Sequence, residues 1–160
     1  MSKDVTILAP VVSRATIQWR TTQPYEAAVL VRPGATLRLE NINVRHSSPS
    51  VANNYSVFCQ EGTLEAASCD ISSASGSGIG IEGGTALISD CKIRDCKGSG
   101  AVVAGALLDS DTQELDSTST KVCFSHSTMC TLSTPYCLTG PIFCCKLGLQ
   151  HVLQVQQPLK

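Results

Sequence analysis

Two segments of the chain, "GTLEAASCDISSASGSGIGIEG" and "GTALISDCKIRDCKGSGAVVAG", follow one another without a gap, the second repeating the first at an offset of 22 residues. Gly62, Thr63, Cys69, Ile71, Gly76, Ser77, Gly78 and Gly83 return as Gly84, Thr85, Cys91, Ile93, Gly98, Ser99, Gly100 and Gly105. A fixed period of this length marks an architecture of stacked units, each burying its apolar face against its neighbours.

Inside each unit the apolar residues come in short alternating bursts, "TLEA", "CDI" and "IGI", then "ALI", "CKI" and "AVV", separated by glycine and small polar residues. Alternation with period two, bounded by Gly and Ser, predicts strands, and no helical period is sustained. Three strands per repeat make one turn of a coil. With successive turns stacked in parallel about 4.8 Å apart, equivalent residues form columns. Leu64 then stacks on Ala86, Ala66 on Ile88, Cys69 on Cys91, Ile71 on Ile93 and Ile81 on Val103, facing inward, while Glu65, Asp70, Ser72, Lys92 and Arg94 face water. The fold class is therefore all-β, a parallel β-helix.

Upstream, "ATLRLENINVRH" aligns with "GTLEAASCDISS" at an offset of 27, the extra residues falling in an inserted loop, "SSPSVANN", after His46. A less regular earlier turn uses "VTIL", "ATIQW" and "AAVLV", so about four turns run from Val5 to Gly105. Trp19 is expected to pack in the first turn. Asn41, Ser68 and Asp90 form a polar column at one bend, where short side chains bond to backbone. Gly76, Gly78, Gly98 and Gly100 mark a second bend needing positive φ or close approach of turns. The domain division is thus residues 1–105, the β-helix, and residues 106–160, a Cys-rich irregular tail that could cap the end of the solenoid.

Net charge is −1 and the cations are scattered singly, which argues against nucleic acid as a partner. "MSKDVTILAPVV" is a poor secretory signal, and "GAVVAGALL" is too short to cross a bilayer. An intracellular location, cytoplasmic or nuclear, is expected, with the nine cysteines reduced and the Asn54-Tyr55-Ser56 sequon unused.

The columns place Asp70 over Lys92, and His46 over Ser73 and Asp95, so no column holds two carboxylates for acid–base or metal chemistry. No catalytic residue, cofactor or metal ligand is assigned. Cys123, Cys130, Cys137 and Cys144 are seven residues apart, without the close pairs of a zinc knuckle. His46 and His151 are expected at the surface. The best candidate contact for a partner is the inserted loop, Ser47, Ser48, Pro49, Asn53, Asn54 and Tyr55, because a loop projecting from a rigid solenoid is free to vary and to bind.

The stretches "VRPGATLRLENINVRHSS", "GTLEAASCDISSASGSGIGIEGG" and "CKIRDCKGSGAVV" resemble the right-handed, pectin-lyase-like parallel β-helix of the plant Skp-interacting-partner F-box family, over roughly Ser2 to Gly105. In that family an N-terminal F-box bundle docks a Skp-type adaptor of a ubiquitin ligase, and the β-helix presents substrate. The resemblance implies a non-enzymatic protein-interaction module whose partner is a protein substrate of a ubiquitin ligase. It implies a Skp-type adaptor only for longer forms with an F-box, since Met1 leads directly into the first strand and the docking residues are not carried over. The alternative reading is a carbohydrate-binding or polysaccharide-cleaving pectin-lyase-like protein.

Overall fold

A computed structural model describes residues 3–49, 54–104, 120–125, 128–131, 134–139 and 142–147. Each turn contributes one strand to each of three parallel sheets. The first turn comprises β1 (Lys3–Leu8), β2 (Ala15–Arg20) and β3 (Ala27–Val31). The second comprises β4 (Ala35–Glu40), β5 (Ile42–Ser47) and β6 (Tyr55–Gln60). The third is β7 (Thr63–Ala67), β8 (Asp70–Ser73) and β9 (Ser77–Glu82), and the fourth is β10 (Thr85–Ser89), β11 (Lys92–Cys96) and β12 (Ala101–Ala104).

The expected register is the observed one. Leu37, Leu64 and Ala86 stack in the first sheet, Val44, Ile71 and Ile93 in the second, and Val57, Ile79 and Ala101 in the third. The inward columns close a continuous core in which Leu39, Ile42, Val44, Val57, Leu64, Cys69, Ile71, Ile79 and Ile93 are inaccessible to solvent. Burial of each such side chain contributes about 1.5–3 kcal/mol relative to exposure. Because sequence neighbours alternate between core and water, a slip of one residue would invert every column.

Both expected bends are present, with different physics. Asn41, Ser68 and Asp90 take left-handed backbone at φ 57°, 53° and 51°, and their amides donate one turn onward, to Ala67, Ser89 and Ser125. Among non-glycine residues Asn and Asp adopt this region most readily, which explains that column. At the other bend the requirement is space. A Cβ on Gly76 would lie 2.1 Å from the Asn54 carbonyl oxygen, so only glycine lets the turns approach there.

In the first turn the pattern weakens for a physical reason. Trp19 was expected to pack, but it is 59% exposed. It stands in the column of His46, on β2, which is the edge of the second sheet among the described residues.

The described parts of residues 106–160, the tail expected to cap the solenoid, are strands. β13 (Thr120–Ser125) pairs in parallel with β10, and β14 (Thr128–Thr131) with β11, giving part of a fifth turn. The chain then reverses. β15 (Thr134–Thr139) runs antiparallel to β14, and β16 (Ile142–Leu147) antiparallel to β13. The seven-residue cysteine spacing corresponds to this reversal, which sets Cys130 opposite Cys137 and Cys123 opposite Cys144 in the backbone register.

Candidate interaction surface

The inserted segment leaves the second turn between β5 and β6, and its two stems are held by a buried polar cluster. Ser47 ends β5 and its carbonyl accepts the amide of Thr21 at 3.0 Å; Ser48 follows half-buried and Pro49 is exposed. Asn53 lies outside the described residues. Asn54 does not project. It is 1% exposed, its Nδ2 donates to Thr21 Oγ1 at 3.3 Å, its Oδ1 accepts the Glu26 amide at 3.3 Å, and its carbonyl accepts the Ser77 amide at 2.8 Å.

On the other stem His46 was expected at the surface, but it is 3% exposed and directed inward. Its Nε2 lies 2.8 Å from Thr21 Oγ1 and its Nδ1 3.0 Å from Ser73 Oγ, which also accepts the Gly76 amide at 2.9 Å. Three turns are thereby tied together around one imidazole. Burial lowers the His46 pKa, partly opposed by the Glu26 carboxylate, and the neutral ring donates from one nitrogen and accepts at the other. A serine and a threonine beside a histidine suggest a nucleophile and base, but both hydroxyls are shielded from solvent, and among the described residues the ring's hydrogen-bond partners are these two hydroxyls. The cluster is a clamp for the stems of the loop.

Tyr55, the last of the expected contact residues, begins β6 and lies on the outer face of the third sheet. Its ring stacks on Phe58 with centroids 4.9 Å apart and planes 15° from parallel. Both rings lie over Gly80, where a Cβ would come within 2.6 Å of the Tyr55 ring and 3.0 Å of Phe58. Phe58 continues an outward apolar row, with Leu30 on one side and Gly80 and Val102 on the other. Glu82, two residues beyond Gly80 on the same face, and Tyr25 act electrostatically on Tyr55, whose phenol is pushed up first by burial and then by these two groups.

The outer face of the second sheet carries a charged cluster. Asp70 does stack on Lys92, but its ion-pair partner is Arg94, whose Nε and Nη2 reach the two carboxylate oxygens at 3.1 and 2.9 Å. Nη1 of Arg94 also binds Asp95 at 3.0 Å. Asp95 does not continue the His46–Ser73 column: the pairing of β11 with β8 ends at Ile93, Asp95 takes left-handed backbone at φ 54°, and Cys96 turns into the core. Sequence columns alone therefore missed that one guanidinium holds two carboxylates. Among the described residues no group of three or more metal-ligating side chains converges, and no helix is long and apolar enough to cross a membrane.

Residues 27–130 match the model of the right-handed beta helix region, and the chain belongs to that family. No curated protein and no solved structure matches it.

Proposed function

We propose that the chain is a non-enzymatic protein-interaction module, the substrate-presenting β-helix of an F-box-type ubiquitin-ligase receptor. The observation that carries this reading is the inserted segment of the second turn. Its stems, at His46 and Asn54, are fixed by buried hydrogen bonds spanning three turns, and the strand that follows it carries the aromatic pair Tyr55 and Phe58. A variable segment on a rigid scaffold is a common way to build a binding surface. In this reading the partner is a protein substrate of the ligase inside the cell, and a Skp-type adaptor is engaged only by longer forms with an F-box.

The test is to replace residues 48–53 by a short Gly-Ser link, keeping Ser47 and Asn54. Chemical cross-linking in cell extract is then compared with the unaltered chain. Loss of a cross-linked partner with unchanged thermal stability supports the module, and an unchanged partner set removes the loop from it.

The carbohydrate-active reading has one observation in its favour, the cluster of Asp70, Arg94 and Asp95 on an exposed sheet face. Each carboxylate there is already engaged by a cation, which opposes use as a general base. Release of unsaturated uronates from polygalacturonate with calcium, lost on Arg94→Ala, would replace the module by an enzyme.

A further inference from the structure

We infer that the outer face of the third sheet, at Tyr55, Phe58 and Glu82, is a docking site for a cationic side chain, Arg or Lys, on an extended segment of a partner protein. The inference rests on the module reading and gives its partner a chemistry. Inward residues Val57, Cys59, Ile79 and Ile81 fill the core, so the row Leu30, Phe58, Gly80 and Val102 is the opposite face of the same strands. Leu30 is 44% exposed and Tyr55 and Phe58 are half-buried, so the face is apolar and in part open to solvent.

Two further features select the occupant. The first is shape: Gly80 has no side chain to displace the rings, and Tyr55 and Phe58 stack over it, a π-stacked pair on the outer face of the sheet. The second is charge. Glu82 faces the same side, close enough to act on Tyr55, and Glu61 follows Gln60 at the end of β6, its amide bonded to the Glu82 carbonyl. The ion pairs among the described residues join Arg38 to Glu40 and Arg94 to Asp70 and Asp95, and none engages Glu61 or Glu82. A guanidinium or ammonium set over the rings meets the negative π face and a carboxylate together. A neutral sugar could stack on the rings and donate hydroxyls to the carboxylates but would leave their charge uncompensated, and a phosphate would be repelled.

The experiment uses the full chain and hexa-arginine amide as the probe, followed by amide chemical shifts. Saturable binding is expected, with the largest shifts on β6 and at Gly80 and Glu82. Glu82→Gln and Phe58→Leu should each weaken it about two- to fivefold. Glu65→Gln, which removes the same charge from the outer face of the first sheet, should leave it unchanged. Glu82→Gln alters only an outward side chain, so it decides the matter even where Phe58→Leu perturbs the fold. Equal weakening by Glu82→Gln and Glu65→Gln, no saturable binding, or shifts at these residues with galacturonate oligomers in place of the peptide would overturn the site. A cross-linked partner that survives both Phe58→Leu and Glu82→Gln would remove this face while leaving the module in place. Polysaccharide turnover would remove the module itself.

Discussion

His46 Nδ1 lies 3.0 Å from the hydroxyl oxygen of Ser73, one turn further along the same inward column. The buried imidazole is held neutral, since burial lowers its pKa from the ordinary 6.5. The unfolded chain therefore binds the His46 proton more readily than the folded chain. Stability from this group is complete above the unfolded value and is lost as pH falls toward and through the lower folded value. The loss amounts to about 1.4 kcal/mol for each unit by which the pKa is lowered. Urea unfolding at pH 7.5 and pH 5 should show this loss, and His46→Asn should flatten the difference between the two. An identical pH dependence in that variant would mean that other groups account for it.

Neighbouring residues on β11 should respond very differently to substitution. Ile93 is inaccessible and stacks on Ile71, so Ile93→Asp buries an unpaired carboxylate and should destabilise by several kcal/mol, on the order of 4. Lys92→Ala, on the outward face, should change stability by about 0.5 kcal/mol or less. Equal effects in a chemical denaturation series would refute the register.

Gly34 and Gly84 share positive φ, 71° and 77°, but not their surroundings. A Cβ on Gly34 meets nothing within 4 Å, whereas one on Gly84 would lie 2.2 Å from the Gly62 carbonyl oxygen. Gly34→Ala should cost about 1 kcal/mol, the backbone preference alone, and Gly84→Ala about 3 kcal/mol or more. The difference between the two midpoints in thermal unfolding isolates the clash.

The core thiols should be inert until the coil opens. Cys59, Cys69, Cys91 and Cys96 are at most 1% exposed. Burial raises the Cys59 thiol and pushes that of Cys96 up to about 11, and the sulfur of Cys69 followed by burial raises that of Cys91; the Cys91 sulfur lowers Cys69 itself to about 7, so Cys69 is protected by inaccessibility alone. Labelling with a maleimide at pH 7 should therefore leave these four unmodified on a timescale that exhausts an exposed thiol, and proceed rapidly in urea. Fast native labelling at Cys69 or Cys91 would show that the third and fourth turns separate readily.

Where the repeat is strict, the fold was legible, because stacking at fixed register forces like residues into columns and Leu64, Ile71 and Ile79 declare theirs. The site was less so. His46 occupies an inward slot after Ile42 and Val44, and that polar residue in an apolar phase was the available signal of burial. Its partner Ser73 was already placed in its column, whereas Thr21, which also accepts from Asn54, belongs to the irregular first turn, where the register could not be read. Tyr55 and Phe58 stand three apart, which on a regular strand places side chains on opposite faces. Their stacking follows from how Tyr55 enters β6, and the only hint was a glycine, Gly80, in an outward slot. The reversal in the tail was not legible, because β15 and β16 run against the direction of every earlier strand.

That inverted pair also fixes how this rod can change in length. A further parallel coil needs an exposed strand of matching direction, and β15 and β16 offer the opposite one beside β14 and β13. Growth at that end is blocked, whereas duplication of the 22-residue unit between Gly62 and Gly83 adds a complete coil within the stack. Each duplication would lengthen the rod by about 4.8 Å. The inverted pair and the stems at His46 and Asn54 would keep their own contacts while moving apart, so coil number can act as a ruler for the distance between them.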